Sequence, residues 1–121
     1  MEKIYRSLLI PGMLLASACL AQAHAFLDHA EPKVGSQFQV APPEVKVWFT
    51  QKLVPAFSEL HVFDADGKEV DKGDKKVAPS DAALMKVSLP LLKPGKYKVV
   101  WKAVSIDTHV THGDFVFEVK P

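Results

Sequence analysis

The residues best equipped for chemistry lie far apart in the chain: His24, which follows the small-residue run Ala21-Gln22-Ala23, and Asp107-Thr108-His109 near the C-terminus. A cut after Ala23 would make His24 the first residue. Its α-amine and ring Nδ1 could then chelate one ion, an arrangement open to no internal histidine. An α-amine has a reference pKa of about 7.7–8.0, well below that of lysine, so losing its proton near neutral pH costs little. Metal binding would complete that release. In extended backbone, residues two apart face the same side, so Asp107 and His109 are expected to face one site while Thr108 points away. Together with His24 they offer three nitrogens and one carboxylate oxygen. A nitrogen-rich set without thiolate or thioether suits Cu(II), one ion per chain, with Ni(II) and Zn(II) as competitors. Met85 is the only sulfur-bearing residue after position 23, so no sulfur cluster for Cu(I) is present there.

Neither feature is specific alone. An Asp-x-His is more often a surface pair than a ligand set, and some residue must follow any cut. Their occurrence together in one small exported domain is what points to a metal. The cut rests on its own pattern. Lys3 and Arg6 precede an uncharged run, Ser7 to Ala23, containing Leu8, Leu9, Ile10, Met13, Leu14, Leu15 and Leu20. A basic start, a short apolar middle and an A-x-A exit describe a secretory signal peptide over residues 1–23, leaving 24–121 as one domain. A membrane anchor fits less well, because the run barely reaches the roughly 17-residue lower limit for a spanning helix, and Pro11-Gly12 interrupts it. Ser17-Ala18-Cys19 also suits a lipidated bacterial N-terminus, although Ala16 stands where a larger aliphatic is usual.

The whole chain has 121 residues, with 15 Lys+Arg against 14 Asp+Glu. Removing the leader takes away Lys3, Arg6, Glu2 and the single cysteine, leaving 98 residues with 13 basic and 13 acidic side chains. Balanced charge excludes the clustered basic surface of a nucleic-acid binder. A cysteine-free domain exported to a compartment where disulfides persist must depend on its core.

The elements that must position the candidate ligands read as strands. Val45, Val47 and Phe49 alternate with polar neighbours, as do Leu60 and Val62 against Glu59 and His61. Asp64-Ala65-Asp66-Gly67 is a turn signal. Val87 and Leu89 end another strand, and Pro94-Gly95 marks a second turn. Lys96 to Val104 puts Tyr97, Val99, Trp101 and Ala103 on one face, and Gly113 to Lys120 does so with Phe115, Phe117 and Val119. No window of about a dozen residues has a helical stripe. The expected fold is all-β, a Greek-key sandwich or barrel of about seven strands. Pro42-Pro43 stops one element before the next strand, and Lys72 to Lys76 reads as a solvated loop. Of the other histidines, His61 reads as a solvated side chain opposite the apolar positions. In a regular first strand His29 falls on the opposite side from His24, and His112, three residues from His109, is a less persuasive candidate for an alternative ligand or a support to one.

With these residues in view the sequence resembles the CopC family of periplasmic copper-binding proteins. The matching stretches are His24-Ala25-Phe26-Leu27-Asp28-His29-Ala30-Glu31-Pro32, Val47-Trp48-Phe49-Thr50, Pro94 to Trp101, Val104-Ser105-Ile106-Asp107-Thr108-His109 and Gly113-Asp114-Phe115. The resemblance implies an immunoglobulin-like (cupredoxin-like) β-sandwich with Cu(II) held by His24, Asp107 and His109. It also implies a periplasmic location, a role in copper sequestration or delivery, and a CopD-like inner-membrane copper transporter as partner. Two departures matter. Some members carry a Glu shortly after the Phe-Thr/Ser pair, where this chain has Gln51, a neutral amide left out of the ligand set. Others carry a Met-rich loop for Cu(I), whereas Asp64 to Lys76 contains no Met. The expectation is a non-catalytic Cu(II) binder. Its alternatives are a copper-dependent oxidative enzyme using an N-terminal His, opposed by the short chain and the Asp ligand, and a purely structural sandwich. Hydrolysis lacks any motif for its nucleophile.

Overall fold

Alternation in the sequence becomes alternation in burial across two facing sheets. The computed structural model describes residues 25–121; the leader, Cys19 and His24 lie outside the described residues. Eight strands follow one another: β1 (Leu27–Glu31), β2 (Gln37–Phe38), β3 (Glu44–Phe49), β4 (Glu59–Phe63), β5 (Lys76–Ala78), β6 (Asp81–Ser88), β7 (Gly95–Val104) and β8 (Val110–Val119). A 3-10 turn, Pro55–Phe57, is the only helical element among the described residues. One sheet has the order β1-β3-β6-β5 and the other β2-β8-β7-β4. All pairings are antiparallel except the short β2–β8 pair. The all-β sandwich expected from periodicity is the observed fold.

The inner faces are those the sequence marks. Val45, Val47 and Phe49 of β3, Leu60 and Val62 of β4, and Tyr97, Val99, Trp101 and Ala103 of β7 are buried. They meet Phe115, Phe117 and Val119 of β8 in one apolar cluster. Met85 on β6 is fully buried, so the thioether is a core group and not a surface ligand. Two strands escape the periodicity argument. β2 has only two residues, and β5 begins at Lys76, inside the stretch read as a loop. β5 is held by its ladder with β6, where Val77 pairs Met85, and not by any alternation of its own.

The β7–β8 pair is unbroken from Gly95 opposite Val119 to Val104 opposite Val110. Within it Trp101 lies opposite Gly113, and its indole covers the glycine so closely that a Cβ there would come 2.3 Å from Trp101 Cζ2. The same indole meets Phe49 of the other sheet edge-on, with ring centroids 5.0 Å apart. Gly113 therefore admits the ring that joins the two sheets. Gly113→Ala should destabilise the domain by about 1–3 kcal/mol, the usual cost of overpacking. Chemical denaturation of both proteins would measure it, and equal midpoints would show that the indole moves aside freely.

Candidate metal centre

β7 and β8 end together at Val104 and Val110, so residues 105–109 must reverse the chain. Ser105 N–H donates to His109 O (3.0 Å) and Thr108 N–H to Ser105 O (2.8 Å). Thr108 occupies the left-handed region at φ +72°, a conformation uncommon for a β-branched residue. Its hydroxyl donates to Asp107 O at 2.5 Å. The expected extended Asp-x-His is therefore a turn. The two side chains still meet, for a different reason: the left-handed residue between them swings both to one side. His109 Nδ1 lies 3.1 Å from Asp107 Oδ2, and each side chain is about half exposed. Two donors bound to one ion at about 2.0–2.1 Å and a right angle would be about 3 Å apart, so this spacing suits neighbouring ligands.

Asp107 is held ionised. The Ser105 hydroxyl donates to Asp107 Oδ1, the His109 side chain hydrogen-bonds it, and the His109 N–H adds a long contact of 3.4 Å. These bonds, Ser105 first, bring the carboxyl down to a pKa of about 2. Ser105 is itself buried. Strand periodicity gives Ser105 no role, and a hydroxyl two residues before a candidate carboxylate ligand is the signal in the sequence that points to it.

Two other segments converge on the turn. Ala25 is fully buried, and its carbonyl accepts a 2.5 Å hydrogen bond from Thr111 Oγ1 on β8. Phe26 exchanges two bonds with Thr50, its N–H to Thr50 Oγ1 and its carbonyl from Thr50 N–H, each 2.9 Å. Lys52 O accepts Ile106 N–H at 3.1 Å, and Val54 N–H donates to Val104 O at 2.8 Å. Gln51 is exposed in this same loop. Exposed Phe26, Ile106 and Val110 give this end an apolar margin.

The remaining histidines are elsewhere. His112 is opposite Lys102 in the ladder, alternating with the inward-facing neighbours, and thus on the outer face of its sheet. His29 stacks on Trp48, with ring centroids 4.3 Å apart, and bonds Asp28 at 2.7 Å. His61 is not merely solvated. It is clasped between Glu69 (2.8 Å) and Glu59 (3.3 Å), and the hydrogen bond it donates to Glu69, against a smaller effect of burial, holds its pKa above the ordinary value.

Fold and turn together define a small β-sandwich with an oxygen–nitrogen donor pair where its longest hairpin closes. The chain belongs to the CopC family, whose domain model matches residues 27–120. Copper resistance protein C of Pseudomonas syringae pv. tomato is 38% identical over 120 residues, covering 94% of this chain and 93% of that protein. Protein YobA of Escherichia coli K12 is 32% identical over 99 residues, covering 81% and 80%. Among solved structures, CopC from Methylosinus trichosporium OB3b superposes with a TM-score of 0.72 at 30% identity, over 81% of this chain and 95% of that one. PcoC, a methionine-rich copper resistance protein from Escherichia coli, gives 0.69 at 30% identity, over 81% and 100%. The family resemblance carried by the sequence motifs is thus shown.

The Ser105 hydroxyl has a measurable consequence. In the metal-free protein, carboxyl NMR should give Asp107 a midpoint of about 2, and Ser105→Ala should raise it towards the ordinary carboxylate value. An unchanged midpoint would remove Ser105 as the cause. The stability linked to this depressed pKa is present above the unfolded carboxyl's value and is lost as pH falls through the folded one.

Proposed function

We propose that this protein is a non-catalytic, periplasmic Cu(II) binder that sequesters copper or passes it to a CopD-like inner-membrane transporter. Cleavage after Ala23 frees the His24 amine, and His24, Asp107 and His109 bind one Cu(II) as cargo. The observation that carries this reading is the bond from Thr111 Oγ1 to Ala25 O. A residue joined to Ala25 has its Cα about 3.8 Å from that of Ala25, and Thr111 is two residues from His109 in sequence. The arm is thereby tethered beside the turn that carries the other two ligands. Membership of a family whose relatives are named for copper resistance supports the choice of metal. So does the burial of Met85, which leaves nitrogen and oxygen donors at this end.

Asp107 and His109 sit on a turn fixed by the hairpin, while Ala25 and Phe26, the residues after His24, are held there by a few hydrogen bonds. Binding then uses a rigid half and a detachable half. The detachable half offers a route for handing the ion on.

Cu(II) titration of the protein beginning at His24 should show an affinity more than about 100-fold above that of the same protein with an extra N-terminal Met, or of His109→Ala. That exceeds the effect typical of removing an outer-shell partner. An EPR spectrum of the bound ion should show hyperfine structure from three nitrogens. Equal affinities would sink the amine chelate, and oxygen turnover with a reductant above the rate of free copper would argue for an enzyme instead.

The pH dependence follows from the donors. Asp107, with a pKa of about 2, remains ionised throughout the range in which imidazoles of reference pKa near 6.5 take up protons. Copper affinity should fall gradually as the α-amine, of reference pKa about 7.7–8.0, takes up its proton, and more steeply below about pH 6 with the imidazoles, and not with the carboxylate. A single loss near pH 4 in the titration would contradict this assignment.

A further inference from the structure

β4 and the segment after it make a second hairpin, away from the Asp107–His109 turn. Asp64 Oδ1 accepts the N–H of Asp66 and of Lys68, each at 2.9 Å, around Gly67 at φ +84°. Phe63 then bridges Glu69, and Val70 N–H donates to Val62 O at 2.8 Å. Residues two apart in extended chain share a side. His61 on one arm thus meets Glu69 and Asp71 on the other, with one donor atom from each within 4.8 Å of the other two. Asp71 is the fixed point, because its Oδ2 accepts Val62 N–H at 2.8 Å and its Oδ1 accepts Gly73 N–H at 2.9 Å. A carboxylate oxygen engaged in one such bond retains a second lone pair.

We propose that His61, Glu69 and Asp71 form a second divalent-metal site, for Cu(II) or Zn(II), built on the β4 hairpin. This inference does not depend on copper binding at the turn. One imidazole nitrogen and two carboxylate oxygens are borderline-to-hard donors of the kind these ions accept, and Cu(II) should bind more tightly than Zn(II). The charges match as well. A neutral imidazole with two carboxylates balances a doubly charged ion, whereas a protonated imidazole leaves one carboxylate charge uncompensated. The third acid nearby, Glu59, has Lys102 Nζ 3.6 Å away. His61 Nδ1 and Glu69 Oε2, 2.8 Å apart, are already near the spacing of adjacent ligands, and a rotamer change of half-exposed Glu69 can bring its oxygen nearer Asp71. The two sites cannot share an ion. His61 pairs with Val100, and the four further residues to Val104 span roughly 13 Å of strand before the turn begins.

The test is an NMR titration of the unsubstituted protein with Zn(II) and then, on a fresh sample, Cu(II). The His61 ring and the amides of residues 61–71 should shift with Zn(II) and broaden with Cu(II). In a chain carrying Asp107→Ala and His109→Ala, calorimetry should still find this hairpin site, and adding His61→Gln or Glu69→Gln should weaken it by at least about tenfold. Unmoved His61 signals at saturating Zn(II) would overturn the proposal. So would equal binding with and without His61→Gln in the doubly substituted background. Failure of the turn to bind copper would leave these signals untouched, so the two readings fail separately.

Discussion

Ten residues of β7 run antiparallel to ten of β8, and both the core and the candidate metal centre hang on the register of that ladder. A slip of one residue would turn Tyr97, Val99, Trp101 and Ala103 outward and their polar neighbours inward. It would also part Val104 from Val110, and with them the ends that shape the Ser105–His109 reversal. The register is pinned by shape as much as by hydrogen bonds. Trp101 needs a residue without a Cβ opposite it, and Gly113 supplies that gap. Apolar packing in the middle of the sandwich thereby determines where a carboxylate and an imidazole meet at its end.

The two acid–imidazole groupings are prepared differently. At the turn, a buried hydroxyl and the His109 side chain add to the effect of exposure to water in keeping Asp107 ionised. On the β4 hairpin, backbone amides orient Asp71 while Glu69 and Glu59 hold the His61 ring. In each, most of the polar partners come from the same turn or hairpin as the residue they hold. Local backbone geometry fixes the donors without drawing polar groups into the apolar interior.

Much of this was legible in the sequence because strand periodicity is a local signal. β3, β4, β7 and β8 alternate over enough residues to declare their inner faces, and those faces are the buried ones. β2 and β5 are too short to show a period and exist through their neighbours' edges. Asp107 and His109 were legible as a pair, yet the extended geometry invoked for them gave way to a left-handed Thr108. Backbone handedness at a threonine is set by the closing turn and leaves no mark in composition. Ser105 does leave a mark, a hydroxyl two residues before the carboxylate, but only the turn shows that the two meet. The surroundings of His61 were hidden too, since Glu69 and Asp71 reach it only through a hairpin register that spacing does not specify. His24 lies outside the described residues, and the role proposed for it rests on the sequence pattern and on the anchoring of Ala25.

The hydrogen bond between Thr111 and Ala25 joins residues 86 positions apart, whereas β7 and β8 are linked by the five residues 105–109. Closing a long loop costs more entropy than closing a short one, and local pairings form sooner. The hairpin bearing Asp107 and His109 can therefore assemble while the N-terminal arm is still searching for its place. The contact between Thr111 and Ala25 is then made onto a turn whose shape the hairpin has already set. Contact order thus separates the closing of the turn, a local event, from the long-range contact that brings Ala25 to it.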